Sequence, residues 1–332
     1  MSIKFLSTTS AFLLSTSMLV ADVPKVTVDI APVHSLVSKV MDGVGKPDLI
    51  IPAGASPHEY QLKPSNAKSL EDADIVFWMG EDLTPWLEKG LSSLAQDAAV
   101  TSLLSVDGIE LLSFREGALF EAHDHDDHDD HDDHDDHDDH DDHDDHGKKK
   151  HDDHDDHDEH AHGDHDPHAW LSPQIAKVWL NVIAAKLSEA DPDNAAKYFS
   201  NAKMARDNMD SLVSEVNSIL DPIRDKKFVV FHDAYQYFEK EFGISASGAI
   251  SLGDASDPSP ARLAEIRKRV VDEAVECVLA EPQYNQGLVK AVVEGTNANT
   301  AVIDPLGVKL DSGPNLYENL IRNLATNLAK CF

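Results

Sequence analysis

The fold class this sequence predicts is α/β with two lobes, each a mostly parallel sheet covered by helices, joined by one long rigid helix. Three observations carry the prediction. The first hundred residues alternate short β-rich runs with helical patterns, the last hundred repeat that order, and between them lies one amphipathic run too long for a small domain.

Val26-Thr27-Val28-Asp29-Ile30 is rich in β-branched residues and reads as a strand, followed by a helix over Val33 to Met41 and a strand over Asp48 to Ile51. Pro64 opens a helix that runs to Ala73, because proline at a first turn lacks only an N–H that would be unbonded anyway. Ile75-Val76-Phe77-Trp78-Met79 is a continuous apolar run, the mark of a strand buried on both faces. A helix over Pro85 to Ala95 and weaker strands near Val100 and at Ile109 to Leu112 complete this half. Strand, helix, strand at this cadence requires crossover connections, hence a parallel sheet.

Ser172-Pro173 opens a helix to about Glu189, and Asp191-Pro192 caps a longer one that continues to about Leu220. Ala195, Tyr198, Phe199, Ala202, Ala205, Met209, Leu212, Val213, Val216, Ile219 and Leu220 keep a three-and-four spacing. Some 29 residues would span about 43 Å, enough to link two lobes rigidly. The second half then reads as strand Phe228 to Phe231, helix Tyr235 to Phe242, strand Ile244 to Ile250, helix Pro260 to Asp272 and strand Cys277 to Ala280. It closes with helix Gln286 to Glu294, strand Thr300 to Ile303 and a helix from about Asn315 to Lys330. The expected division is 1–21 signal peptide, 22–190 N-terminal lobe with a disordered His/Asp-rich loop at 121–166, 191–221 linking helix, and 222–332 C-terminal lobe.

Met1 to Ala21 carries Lys4 and then a mostly apolar run to Ala21, the pattern of a secretory signal peptide with cleavage after Ala21. The run is interrupted by Ser and Thr and short for a bilayer span, so an uncleaved anchor is the lesser reading. The mature chain is long enough for two ordinary domains or one large one. The formal net charge is −33, but residues 123 to 166 contribute −20 of it through 23 Asp plus Glu against 3 Lys. The remaining −13 argues against nucleic acid and anionic membrane surfaces as partners and suits a protein that handles cations. Two cysteines occur, Cys277 and Cys331, and behind an export signal a disulfide is their natural reading. A pair of thiolate metal ligands is the competing one, although neither lies in a CxxC spacing.

From His123 a His-Asp-Asp repeat runs for some forty residues and stops at Asp166-Pro167-His168-Ala169-Trp170. Imidazole and carboxylate are ligands for divalent borderline cations, and a tract so poor in apolar residues cannot fold by itself. Its period of three would align the imidazoles along one edge of an extended, polyproline-like chain. A flexible collector of metal is the functional reading, and a solvated linker the bland one. Of 19 His, 16 lie between residues 123 and 168, leaving His34, His58 and His232 elsewhere. His58 and His232 each sit just past a strand, and His168 precedes a helix. Residues beyond the carboxyl ends of strands line the ligand crevice of an open parallel sheet, so these three imidazoles can converge between the lobes. Three neutral His nitrogens suit Zn²⁺, whereas Mn²⁺ and Mg²⁺ favour oxygen-rich sites. Each alone is equally well a satisfied core or capping histidine. His34, after Pro32 at a helix start, reads as a cap or rim residue, and Trp78, Trp86, Trp170 and Trp179 as core.

Gly54-Ala55-Ser56-Pro57-His58-Glu59-Tyr60 with Leu62-Lys63-Pro64-Ser65, Asp166-Pro167-His168-Ala169-Trp170-Leu171-Ser172-Pro173 and Phe231-His232-Asp233-Ala234-Tyr235 are the longest recognisable motifs. Together with Ala280-Glu281-Pro282-Gln283 and Asp304-Pro305-Leu306-Gly307 they resemble the zinc-specific periplasmic solute-binding proteins of bacterial zinc-uptake ABC transporters, the ZnuA type of the metal-binding cluster A-I family. The resemblance spans nearly all of the mature chain. It implies zinc held between two α/β lobes by His58, His168 and His232, a charged metal-binding loop in the His/Asp tract, a Cys277–Cys331 disulfide and delivery of Zn²⁺ to a membrane permease. Manganese-type relatives usually carry a carboxylate where His232 stands. Asp304, Glu59 or a water is the expected fourth ligand, and Ala249 replaces the His that forms a second structured site in some relatives. A monomer without enzymatic turnover is expected, with a periplasmic zinc chaperone admitted as a further partner. An exported zinc hydrolase using the same three His with Glu59 or Asp304 as base, a periplasmic zinc buffer and a manganese-type binding protein are the alternatives.

Overall fold

The structure is a computed structural model, and it describes residues 23–52, 54–115, 165–251 and 258–332. The expected signal peptide and nearly all of the His/Asp tract lie outside these residues. The N-terminal half forms a four-stranded parallel sheet from β1 (Val26–Val28), β2 (Asp48–Leu49), β3 (Ile75–Trp78) and β4 (Ala99–Ser102), in the order β2-β1-β3-β4. The C-terminal half builds a second from β5 (Phe228–His232), β6 (Ala249–Ser251), β7 (Cys277–Ala280) and β8 (Asn299–Val302), in the order β6-β5-β7-β8. The two orders are the same pattern used twice. Every residue of β3, β5 and β7 is buried, which is why these strands read as unbroken apolar runs rather than alternating ones. Val28 pairs with Leu49 and Phe77, His232 with Ser251 and Ala280 with Val302, so neighbouring strands end nearly level at the carboxyl edge of each sheet.

The helices of the N-terminal half are α1 (Ala31–Val40), α2 (Pro64–Glu71), α3 (Pro85–Leu94) and α4 (Pro173–Ala190), with the linking helix α5 (Ala195–Leu220) after them. The C-terminal half adds α6 (Gln236–Phe242), α7 (Pro260–Asp272), α8 (Gln286–Val293) and α9 (Leu316–Ala329). Ser172 caps α4 by accepting from the Ile175 N–H at 3.3 Å, and Ser259 caps α7 by accepting from the Arg262 N–H at 3.2 Å. Gly243, with φ 63°, ends α6 in the left-handed region that glycine enters at least cost.

The linking helix has 26 residues, about 39 Å at 1.5 Å per residue, and is shorter than its apolar pattern suggested. Residues Pro192–Asn194 form a tighter 3-10 turn instead, held by buried Asp191, whose Oδ2 accepts from the Tyr198 hydroxyl and the Asn194 amide, both at 2.8 Å. Tyr198, Ala202, Ala205, Met209, Leu212, Val216 and Leu220 line its buried face against α4, α1 and α9. The C-terminal helix α9 also lies on α1: the Tyr317 N–H donates to Ser35 Oγ at 3.0 Å, Lys39 pairs with Glu318, and Arg322 Nε donates to Glu215 Oε1 of α5 at 2.7 Å. One apolar core therefore runs through both halves, with a smaller cluster of Val229, Phe231, Ile250, Ile266, Val278 and Val292 on the far face of the second sheet. Pulling the lobes apart would expose that shared core, so the helical interface works against wide hinge opening.

Three sequence expectations change. Ile109 to Leu112 is not a strand; the nearby pairing is a single antiparallel bridge between Ser113 and His165. The strand expected over Ile244 to Ile250 shrinks to Ala249–Ser251, because the segment before it runs as a loop toward β5, with the Ser247 N–H donating to Phe228 O at 2.7 Å. His232 is the last residue of β5 rather than the first beyond it. Cys277 and Cys331 are disulfide-bonded, with Cα atoms 5.8 Å apart at a sequence separation of 54, which sets aside the thiolate-ligand reading. Among the described residues no helix is long and apolar enough to cross a membrane.

Candidate metal centre

In a sheet of order 2-1-3-4 the direction of winding reverses between the first and third strands, and the crevice outside their carboxyl ends is where such folds take ligands. In the C-terminal sheet that point lies between β5 and β7. His232 ends β5 and Glu281 directly follows β7, and the two are joined across the gap by His232 Nδ1 and Glu281 Oε1 at 2.7 Å. In the N-terminal sheet the equivalent place is closed by Asp29, whose two oxygens accept the N–H groups of Ile30 and Met79, each at 2.7 Å. Asp29 is fully buried, and this burial pushes its carboxyl up to about 7 despite the two N–H donors that act in the opposite direction.

His58 comes from the loop between β2 and α2. Its backbone N–H donates to Ser56 Oγ at 3.3 Å, and Trp86 Nε1 donates to the carbonyl of Pro57 at 2.8 Å, which anchors this loop on α3. His168 stands at the N-terminus of a 3-10 turn, Ala169–Leu171, that leads into α4. Asp166 Oδ1 accepts both the backbone N–H of His168, at 2.9 Å, and its Nδ1–H, at 2.7 Å. His168 and His232 are buried, and His58 is half-buried.

One nitrogen from each of the three rings lies within 4.8 Å of the others, and no other group of three or more His, Cys, Asp or Glu side chains comes together in this way among the described residues. Ring centroids are 5.5 Å apart for His58 and His168, 5.3 Å for His168 and His232, and 6.5 Å for His58 and His232. An ionised carboxylate can only accept, so the Asp166 and Glu281 contacts put the ring proton on Nδ1 and make Nε2 of both histidines the nitrogen with a lone pair to offer a metal. This carboxylate–imidazole arrangement fixes ring orientation and raises ligand basicity. Both acids are buried. Glu281 also acts on the Tyr235 phenol: burial first, then this neighbouring charge, push it well above its ordinary value.

The remaining sequence candidates do not join the cluster. Glu59 is exposed. Asp304 uses its carboxylate to cap its own loop, accepting from the N–H groups of Leu306, Gly307 and Val308 at 3.1, 2.9 and 2.6 Å and from Gln283 at 3.2 Å. His34, inside α1, hydrogen-bonds the Pro47 carbonyl through Nε2 at 3.0 Å. Ala249 is buried in β6. Trp78, Trp170 and Trp179 are core, while Trp86 is half-buried over the His58 loop. Trp170 also joins the two halves beneath the site: its Nε1 donates to Pro305 O and its carbonyl accepts the Tyr317 hydroxyl, both at 2.8 Å. Sequence reasoning gave no role to Asp166 or Glu281. A usable signal existed for each: an acid two residues before a candidate ligand, and an acid ending an apolar strand.

Two α/β lobes with matching strand order, a shared helical spine and an imidazole cluster at their crevice define a solute-binding protein of the metal-binding type. The match to known proteins makes this specific. Residues 26–331 match the family model of the zinc-uptake complex component A, periplasmic (ZnuA), and the chain belongs to that family. It is 50% identical over 306 residues to the high-affinity zinc uptake system protein ZnuA of Brucella abortus strain 2308, covering 92% of this chain and 91% of that one. Identity to the protein of the same name from Paracoccus denitrificans is 45% over 312 residues, covering 94% and 92%. Among solved structures, a crystal structure of ZnuA superposes with a TM-score of 0.72 at 20% identity, over 93% of this chain and 99% of that one. The solute-binding protein FpvC from Pseudomonas aeruginosa, in complex with Mn²⁺, gives 0.71 at 18% identity over 93% and 97%; at such identities these two likenesses speak for the fold.

Proposed function

We propose that this chain captures Zn²⁺ with high affinity in the periplasm, holds it with His58, His168 and His232, and delivers it to the permease of a zinc-uptake ABC transporter. The observation that carries the ligand assignment is the convergence of the three imidazoles within 4.8 Å, two of them with Nδ1 held by a buried carboxylate. A set of neutral nitrogens with no carboxylate in the cluster favours zinc over manganese. With Glu59 exposed and Asp304 engaged in its own loop, water is the fourth ligand. The same two facts speak against the hydrolase, because neither candidate base stands beside the three His.

The division into lobes 22–190 and 222–332 about a linking segment 191–221 is kept, with α5 as its spine and α9 packed on both halves. Residues 1–21 are a cleaved export signal, the working form is a monomer, and a periplasmic zinc chaperone remains an admissible partner. The tract at 121–166 is an auxiliary acceptor of several weakly held zinc ions. Calorimetry on the full chain tests this reading. His58→Ala, His168→Ala and His232→Ala should each abolish the tight site and leave the weak ones, whereas deletion of residues 123–165 should do the reverse. Tight binding that survives in all three single variants refutes the ligand assignment.

A further inference from the structure

The backbone segments that enter and leave the tract meet at one place, and the C-terminal half holds both. Ser113 bridges His165, and the Asp166 N–H donates to Leu112 O at 2.8 Å. The Tyr237 hydroxyl accepts from the Leu112 N–H at 3.0 Å and donates to the Asp166 carbonyl at 2.9 Å. Gln236 Nε2 reaches Ser113 O at 3.2 Å and Asp166 Oδ2 at 3.1 Å. All of these partners belong to α6 or hang from it.

Arg115 makes the strongest of the attachments. Its Nε donates to both oxygens of Asp233, at 3.0 and 2.9 Å; one terminal nitrogen donates to Glu239 Oε2 at 2.8 Å; and the other reaches Glu239 Oε1 at 3.0 Å and Asp233 Oδ1. The guanidinium fork thus joins two carboxylates whose side chains are each only 6% exposed, itself 19% exposed. Glu239 in turn accepts the Ala246 N–H at 3.0 Å, on the segment leading to β6. Asp233 is the residue after His232. Removing the guanidinium would leave two buried carboxylates side by side with no counter-charge, a strongly destabilising arrangement that is relieved by uptake of a proton, entry of water or movement of the backbone, each of which changes the packing around Asp233. The backbone that would move carries His232.

We propose that Arg115 is a positioning residue of the zinc site: by neutralising Asp233 and Glu239 it fixes the backbone at His232 and locks the Asp166–His168 segment to the C-terminal half. The inference rests on the three-histidine reading given above. It predicts that the geometry and retention of zinc depend on a side chain outside the three-histidine cluster. Arginine is required because the planar fork satisfies two carboxylates at once, which a single ammonium cannot do.

The test uses the full chain with four substitutions: Arg115→Gln, Arg115→Lys, His232→Ala, and, as control, Lys39→Gln, which breaks the comparably exposed ion pair with Glu318 between α1 and α9. Zinc release from the tight site is timed with excess chelator, and the visible spectrum of bound Co²⁺ reports ligand geometry. Arg115→Gln should release zinc about ten- to a hundredfold faster and alter the Co²⁺ spectrum, as losses around metal ligands typically do. Arg115→Lys should fall between it and the unsubstituted protein, and Lys39→Gln should lower thermal stability alone. Zinc release and Co²⁺ spectra that stay unchanged in Arg115→Gln, or in Arg115→Lys if the glutamine variant does not fold, overturn the proposal, as does an equal effect of Lys39→Gln. A tight site that survives His232→Ala instead refutes the zinc-site reading on which the proposal stands.

Discussion

Replacing Glu281 by Gln isolates the contribution of charge to the metal centre. Glu281 Oε1 accepts from His232 Nδ1 at 2.7 Å, while Oε2 is buried with no hydrogen-bond partner among the described residues. A glutamine can keep the acceptor at the first position and turn its NH₂ toward the second, so shape and hydrogen bond both survive and only the charge is lost. A hydrogen bond to a charged group is worth roughly 1.5–3 kcal/mol and a neutral one about 0.5–1.5, so the difference is about 1–1.5 kcal/mol. Tenfold weaker zinc binding is the expected result, since about 1.4 kcal/mol corresponds to a factor of ten. Asp166→Asn should cost more, because Oδ1 already takes two N–H groups from His168 and Oδ2 takes the Gln236 amide. An asparagine NH₂ would meet one of those donors head on. Competition for zinc against a chelating dye, with the tract's weaker sites saturated separately, measures both. If both variants hold zinc within twofold of the unsubstituted protein while His232→Ala loses the tight site, then the carboxylates orient nothing that matters and the argument fails.

Two further expectations concern the fold. Reducing the Cys277–Cys331 bond releases a 54-residue loop, a loss of about 4 kcal/mol by the chain-entropy estimate and a fall in melting temperature of about 10 °C. Zinc affinity at room temperature should not change, because Cys277 lies at the end of β7 opposite Glu281; a melting temperature indifferent to reductant contradicts this. Asp29, raised to about 7 from an ordinary value of 3.8, binds its proton more tightly in the folded than in the unfolded chain. Its contribution to stability is therefore fully present below about pH 4 and is lost as pH rises through about 7, a change on the order of 4 kcal/mol. Denaturant unfolding of the zinc-free protein should show this slope shrinking in Asp29→Asn, and identical pH profiles for the two proteins would refute it.

Much of this architecture is legible in the sequence because parallel strands buried on both faces leave unbroken apolar runs. Ile75 to Trp78 and Cys277 to Ala280 carry that signal without interference. Two of the three candidate ligands, His58 and His232, are legible for a different reason: with the tract set aside, histidine is so scarce that each remaining one stands out, while His168 is marked by the Asp-Pro-His-Ala-Trp motif that ends the tract. What fails locally is decided by distant partners. Ile109 to Leu112 has the composition of a strand, yet Leu112 gives its N–H to the Tyr237 hydroxyl and its carbonyl to Asp166, so no ladder forms. Arg115 sits in a stretch without pattern, and its partners lie 118 and 124 residues away, a pairing no local rule exposes. Asp304, one of three alternatives for a fourth ligand, shows the limit of a local pattern. A strand-end acid in a parallel sheet resembles a ligand, but here it caps its own loop.

The matching strand orders explain why the site is lopsided. In the N-terminal sheet the crevice between β1 and β3 is closed by Asp29, whose oxygens are both occupied by backbone N–H groups, so that position serves structure and offers nothing to a metal. In the C-terminal sheet the same position is held by His232 with Glu281 behind it, so it serves chemistry. The N-terminal half offers its imidazoles from farther out: His58 on the loop after β2, half-buried, and His168 ahead of α4, buried like His232. Solvent thus meets the cluster on the His58 side, the face from which a hydrated ion would shed its waters. The two buried histidines, each backed by a carboxylate and both tied to α6 through Asp166, Asp233 and their partners, are the more firmly held part of the cluster, the part against which the proposed function would seat the ion.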